Sequence, residues 1–126
     1  MTLMNPMNTK AREPWEGDFK LYYGDILVGN VSRAVCDYTT WDGPIVLTIK
    51  ASDGKLQERL LEFIKFCEEW TERAHRDEPA DPDEFKQFND LLKSGLWRAE
   101  SDEGDVHHLP DTPVFFAGSE VSWRED

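Results

Sequence analysis

The chain of 126 residues contains only two cysteines, no long apolar run and no recognisable export signal. Cys36 and Cys67 stand far apart, and neither has a second cysteine at a metal-ligand spacing, so two reduced thiols are expected. A membrane span would need about 20 apolar residues in a row. Residues 1–8 lack the basic start, apolar stretch and small-residue cleavage site of a secretory signal. We therefore expect a cytoplasmic protein without a membrane partner.

Basic side chains are also scarce, and their shortage is uneven along the chain. There are 26 acidic and 14 basic residues, for a net charge of −12. Residues 1–55 carry 7 acidic and 6 basic side chains, whereas residues 56–126 carry 19 and 8. A negative field of this kind repels nucleic acid and anionic membranes and attracts basic surfaces. The expected partner is therefore a basic protein surface or a second copy of the chain, and not nucleic acid.

Motifs for phosphate binding and covalent catalysis are missing as well. The sequence has no Gly-x-Gly-x-x-Gly segment, no phosphate-cradling loop and no Gly-x-Ser-x-Gly turn around a nucleophile. Cys67 falls on the apolar stripe of a predicted helix, which favours packing over nucleophilic catalysis. We expect no cofactor and no metal, and a binding protein rather than an enzyme.

What the chain does contain is enough apolar material for a folded body. Hydrophobic residues make up 39% and aromatic residues 12% of the composition, which is too rich for intrinsic disorder. Residues 1–14 show no periodicity and are interpreted as a flexible tail. Residues 15–126 are predicted to form a single domain.

The first half of the domain has the pattern of antiparallel strands. Two alternating segments, 19–23 and 26–31, flank Gly24-Asp25, and glycine at the first turn position suits a two-residue hairpin connection. A third strand is predicted over residues 44–50. The turn-prone Trp41-Asp42-Gly43 is expected to lead into it.

Two helices are predicted in the middle of the chain. Apolar residues recur at three- and four-residue spacing from Leu56 to Ala74, with Ser52 or Asp53 as the capping residue. A second helix begins with Asp81-Pro82-Asp83-Glu84, in which Asp81 caps and Glu84 reaches back to it. Gly95 is expected to take a left-handed conformation after this helix.

Four short segments of strand character follow, at residues 96–99, 106–109, 114–116 and 121–123. Turn-forming residues separate them. The resulting order is β-β-β-α-α-β-β-β-β. This order predicts an α+β fold, in which the helical pair packs on one face of an antiparallel sheet.

Two groups of residues have side chains that could take part in catalysis or bind a metal, but each also has a simpler structural explanation. His107 and His108 follow Asp105, but neighbouring strand residues point to opposite faces, so at most one imidazole can serve a given site. Glu72 and His75 have the Glu-x-x-His spacing of helical metal sites, yet the motif occurs once and suits a solvated helix end. An exposed histidine pair and a helix terminus explain these residues without a function.

The leading hypothesis is a non-enzymatic interaction module for a basic protein surface, in which exposed rings supply contact area and carboxylates steer the partner. By charge and size only, the chain resembles toxin-neutralising immunity proteins and small adaptors. One alternative is a small-molecule binder or hydrolase with a pocket between sheet and helices, built from His107 or His108 and a carboxylate such as Asp105. Another is a homodimer that buries its aromatic sheet face. The candidate interface residues are Tyr22, Trp41, Glu69, Glu72, Trp97 and Trp123.

Overall fold

A computed structural model describes residues 16–125, so the predicted tail of residues 1–14 lies outside the described residues. Seven strands and two helices follow one another in the predicted order, which confirms the α+β fold. The strands are β1 Glu16–Tyr23, β2 Ile26–Asp37, β3 Thr40–Leu47, β4 Trp97–Ser101, β5 Val106–His108, β6 Val114–Phe116 and β7 Glu120–Arg124. The helices are α1 Lys55–His75 and α2 Asn89–Leu92, and each follows a 3₁₀ segment, Ala51–Asp53 or Pro82–Phe88.

All seven strands belong to one antiparallel sheet with the order β5-β4-β1-β2-β3-β7-β6. In a flat sheet, β5 and β7 would lie about 24 Å apart, because five steps of roughly 4.8 Å separate them. Nevertheless His107 Nδ1 on β5 is 2.8 Å from Oε1 of Glu125, the residue that follows β7. The sheet is therefore strongly curled, as the right-handed twist of strands favours. This curl brings two distant parts of the sheet together.

The first hairpin forms as predicted, but the turn that leads into β3 lies elsewhere than expected. Gly24 has a φ of +60° in the turn between β1 and β2. The expected turn at Trp41-Asp42-Gly43 is wrong, because these residues pair inside β3. The chain instead reverses between Asp37 and Thr40, which are register partners. The residue after Asp37, Tyr38, has a φ of +59° and is 90% exposed.

The long helix α1 is confirmed, but its predicted cap is wrong. Its buried stripe consists of Leu60, Phe63, Ile64 and Cys67. Gly54 occupies the N-cap position and makes no side-chain cap hydrogen bond. The side chain of Asp53 is engaged elsewhere, since its Oδ2 accepts a hydrogen bond from the backbone N–H of Lys50 at 3.1 Å. The 3₁₀ turn before the helix therefore uses the carboxylate that was expected to cap α1.

The second helical segment begins as predicted and is mostly 3₁₀ rather than α. Asp81 accepts a hydrogen bond from the backbone N–H of Asp83 at 2.9 Å, and Glu84 Oε2 accepts one from the N–H of Asp81 at 3.0 Å. Only the last turn, α2, is α-helical. Gly95 follows it with a φ of +71°, in the expected left-handed region.

The inner face of the sheet and the helices enclose a core in two aromatic clusters. In the helix-side cluster, the ring of Phe63 contacts Phe88, Trp97 and Phe115. In the sheet-end cluster, Phe19, Trp41 and Trp123 pack together where β2 turns into β3 and β7 ends. None of the helices within residues 16–125 is long and apolar enough to span a bilayer.

Candidate functional site

The three tryptophans expected at an interface belong to the core. Trp41, Trp97 and Trp123 are only 7%, 2% and 2% exposed. Trp41 and Trp123 are register partners on β3 and β7, and their rings lie nearly parallel with centroids 6.4 Å apart. Trp97 is held by a hydrogen bond from its Nε1 to the carbonyl oxygen of Leu91 at 3.2 Å. All three alternate onto the inner face, which corrects the expectation that their rings contact a partner.

Tyr22 lies on the outer face of β1, but its ring is already covered. The guanidinium carbon of Arg98 is 4.3 Å from the ring centroid, which is a cation–π contact. Arg98 Nε also donates to Glu100 Oε2 at 2.9 Å. The more accessible aromatic side chains within residues 16–125 are Tyr38, at 90%, and Phe116, at 38%.

Glu69 and Glu72 are exposed on α1, and together with Glu68 they form a carboxylate cluster. The pKa of Glu68 is raised, first by desolvation and then by the charges of Glu72 and Glu69. Within residues 16–125, no salt bridge engages Glu68 or Glu69. The α1 carboxylate cluster is therefore a site of repulsion between like charges, which is felt at Glu68, while Glu69 and Glu72 also interact with Arg73 and Arg76.

Elsewhere in the acidic half, many carboxylates have local partners. Arg59 pairs with Asp90 at 3.0 Å, and Arg73 pairs with Glu84 at 2.6 Å. Each of these guanidinium groups lowers the pKa of the carboxyl group that it contacts. A large part of the negative charge therefore stabilises the helical region and does not need an external partner.

A groove of about 460 Å³ lies beside the carboxylate cluster. One wall is formed by Thr71, Glu72, His75 and Arg76 of α1, and the other by Phe116 and Ala117. Glu72 Oε1 is 3.5 Å from Arg76 Nη1, so this glutamate is partly balanced. Across residues 16–125, no three His, Cys, Asp or Glu side chains are arranged to hold a metal ion. The Glu72-x-x-His75 motif thus contributes to a groove wall.

The two adjacent histidines have different surroundings. His108 is exposed, whereas His107 is half-buried on the inner face, with its ring centroid 5.8 Å from that of Phe19. The carboxylate beside His107 is Glu125, not the expected Asp105. Asp105 is an exposed turn residue whose backbone pairs with Ser101. His107 lies beside Glu125 because the sheet is curled, and the local sequence does not reveal this curl.

Glu125 lies beside several polar groups at the end of the sheet. Its backbone N–H donates to the carbonyl oxygen of Thr39 at 2.7 Å. Cys36 is nearby, and its pKa is raised by burial and then by the charges of Glu125, Asp37 and Asp42. The Cys36 thiol donates a hydrogen bond to the carbonyl oxygen of Tyr38 at 3.2 Å. A thiol of this kind is protonated at neutral pH and is a poor nucleophile.

Sequence reasoning missed Glu68 and Glu125 as members of these sites. Glu68 was recognisable in principle, because it precedes Glu72 by one helical turn. Glu125 continues the inner-face alternation of Val121 and Trp123, which also was available from the sequence. Phe116 was among the aromatic residues that the sequence offers for an interface, and it alternates outward from the buried Phe115 on β6.

The space between the sheet and the helices is filled by the helix-side cluster. Phe63, Phe88, Trp97 and Phe115 are each at most 4% exposed there. The expected pocket between sheet and helices is therefore absent from the part that these four rings fill, and His107 pairs with Glu125 at the end of the sheet instead. Comparisons of the chain with protein families, with curated proteins and with solved structures found no match.

Proposed function

We propose that this protein is a non-enzymatic interaction module that binds a basic surface of another protein. The contact surface consists of the α1 carboxylate cluster, Glu68, Glu69 and Glu72, together with the groove that Phe116 borders. The observation that carries the proposal is the groove in which Glu72, whose charge helps to raise the pKa of Glu68, lies across from the exposed ring of Phe116.

Electrostatics supports a basic partner. The raised pKa of Glu68 reflects desolvation and repulsion from Glu72 and Glu69, and both costs persist while the surface is free. A lysine or arginine brought to the cluster would offset the repulsion and form charge-assisted hydrogen bonds. A second copy of the chain would bring the same negative charges to the contact, so self-association through this surface is disfavoured.

The groove supports a protein partner over a free cation. Phe116 is 38% exposed and forms one wall, while Thr71 and the side chains around it form the other. A ring at the edge of a groove gives an apolar side chain of the partner a surface to bury, and neighbouring charges then set the orientation. The same proposal places the protein in the cytoplasm, where the free thiols of Cys36 and Cys67 remain reduced.

The experiment compares affinity capture from a lysate of the source cells by three immobilised proteins. These are the wild type, the cluster variant E68Q/E69Q/E72Q, and the matched control D102N/E103Q/D105N, which removes three charges from the turn between β4 and β5. We expect wild type and control to retain the same basic protein in about 50 mM salt and to release most of it in about 300 mM salt. The cluster variant is expected to retain at least about tenfold less.

Two results would contradict this function. If both triple variants retained equally less of the basic protein, binding would depend only on overall charge and not on the α1 carboxylate cluster. Retention that is indifferent to salt would show that carboxylates do not steer the contact.

A further inference from the structure

An arginine of this chain shows how the protein holds a guanidinium group. The guanidinium carbon of Arg59 lies 4.4 Å from the ring centroid of Phe88. The same group donates a hydrogen bond from Nη2 to Asp90 Oδ1 at 3.0 Å. A ring face and a carboxylate thus act together on one cation.

A second arginine repeats the arrangement on the sheet. The guanidinium carbon of Arg98 lies 4.3 Å from the ring centroid of Tyr22, and its Nε donates to Glu100 Oε2 at 2.9 Å. The flat, delocalised guanidinium group suits both interactions, because it stacks on a ring while its N–H groups reach a carboxylate. A ring and a carboxylate at the same place are therefore a site for arginine in this protein.

The groove of about 460 Å³ contains a third ring and carboxylate, on opposite walls. Glu72 lies on the α1 wall, and Phe116, which is 38% exposed, lies on the other wall. Unlike Phe88 and Tyr22, Phe116 makes no cation–π contact within residues 16–125. The groove beside its ring is therefore open to a guanidinium group from outside the chain.

Arg76 also lines the groove, but its guanidinium group is engaged mainly by Glu78. Arg76 Nε donates to Glu78 Oε2 at 2.8 Å, and Nη2 donates to Oε1 at 3.4 Å. By contrast, Arg76 Nη1 is 3.5 Å from Glu72 Oε1, in an exposed i, i+4 pair of the kind that contributes little to stability. The Glu72 side chain is 53% exposed, so a second guanidinium group can reach it.

We propose that the basic partner of this protein inserts an arginine side chain into this groove. Its guanidinium group stacks on the ring of Phe116 and donates to the carboxylate of Glu72, while its methylene groups pack against Ala117. Arginine is favoured over lysine, because an ammonium group is a compact, strongly hydrated charge that cannot stack flat on a ring or bind a carboxylate in a bidentate manner. This inference rests on the proposed function and adds the side chain that the partner must carry.

The test titrates the protein with three capped tripeptides, acetyl-Gly-X-Gly-amide, in which X is arginine, lysine or citrulline. Citrulline has the shape of arginine without its charge. Two-dimensional NMR follows the backbone signals of Ala117 and Thr71 in about 50 mM salt. We expect the arginine peptide to shift these signals with saturation. The lysine peptide should bind at least about threefold more weakly and the citrulline peptide at least about fivefold more weakly.

Two groove variants and a matched control locate the contact. F116L keeps an apolar side chain but removes the aromatic face, and is expected to abolish the preference for arginine over lysine. E72Q should weaken binding of the arginine peptide by about fivefold. E58Q removes the same charge from an exposed position about 21 Å away along α1, and should bind within about twofold of the wild type.

Three results would each overturn the inference: equal affinity for the arginine and lysine peptides, no shift at Ala117 or Thr71, or an unchanged preference in F116L. Lysate capture separates this inference from the proposed function. If F116L retains the basic partner fully while the cluster variant loses it, the interaction module stands and the arginine site does not. If the arginine peptide binds as expected but the lysate yields no basic partner, the arginine site stands and the proposed function fails.

Discussion

Gly43 on β3 lies so close to Ala34 on β2 that a Cβ atom at position 43 would stand 3.0 Å from the Cα of Ala34 and 3.2 Å from its Cβ. The same atom would be 2.9 Å from Cγ1 of Val31. Two strands can approach this closely only because one of them carries a glycine. The contact lies within the pairing of β2 with β3.

We therefore predict that Gly43→Ala destabilises the protein. The added methyl group must displace backbone as well as side chain, and overpacking of this kind costs about 1–3 kcal/mol in the free energy of unfolding. Urea denaturation measures the change. Gly17→Ala is the control, because its Cβ would meet only the ring of Phe19 at 3.4 Å, and it should change the free energy by less than about 0.5 kcal/mol. Equal effects of the two substitutions would contradict the proposed close approach.

Phe63 should be the most costly apolar residue of α1 to truncate. It is 1% exposed, and its ring contacts Phe88, Trp97 and Phe115. Phe63→Ala is expected to lower the free energy of unfolding by about 3–5 kcal/mol, since it removes a large ring and leaves a cavity. Leu56→Ala, on the same helix but 42% exposed, should cost well under half as much. Thermal and urea melts of both variants test this order.

The ion pair between Arg73 and Glu84 should make stability sensitive to acid. Arg73, through its side-chain hydrogen bond, lowers the pKa of Glu84 in the folded protein. The stabilisation is therefore present above the ordinary glutamate pKa of about 4.3 and is lost as the pH falls further, through the lower folded value. Glu84→Gln is expected to be less stable than the wild type at pH 7, and this difference should shrink in acid. Urea midpoints at neutral pH and near pH 3 provide the comparison, and a constant difference would contradict the prediction.

Cys67 should make stability sensitive to alkali. Burial raises the pKa of its thiol to about 12, while the Phe115 backbone hydrogen bond acts in the opposite direction. Above the ordinary thiol pKa of about 8.5, the unfolded chain loses this proton and the folded chain keeps it, so stability falls by about 1.4 kcal/mol per pH unit. Cys67→Ala removes this contribution and should flatten the decline between pH 8 and 10. Cys36→Ala, at a less buried thiol, should retain most of the slope.

The helices were largely predictable because their signals are local. The three- and four-residue spacing of apolar side chains determines the buried stripe of α1, and Asp81 with Glu84 marks the start of the next helical segment. The cap of α1 was not predictable in the same way. Ser52 and Asp53 are both good capping residues. Asp53 instead accepts a hydrogen bond from the N–H of Lys50, because residues 51–53 form a 3₁₀ turn that no sequence pattern indicated.

Glycine in a turn-prone segment predicted a turn correctly at Gly24 and incorrectly at Gly43. Gly24 does so, whereas Gly43 provides space between strands, and the two uses have the same appearance in a sequence. The interface residues were harder to predict than the turns. Aromatic abundance suggested exposed rings, but Trp41, Trp97 and Trp123 alternate inward, so the tertiary packing assigns them to the core.

The order of the elements, the antiparallel character of the sheet and the excess of negative charge could all be predicted, because each follows from local periodicity or composition. Which side chains meet depends on the tertiary fold. His107 and Glu125 belong to strands or strand ends that a flat sheet would hold about 24 Å apart, and curling brings Nδ1 and Oε1 to 2.8 Å. The twist that produces this contact accumulates over six strands, so no short stretch of sequence can encode it.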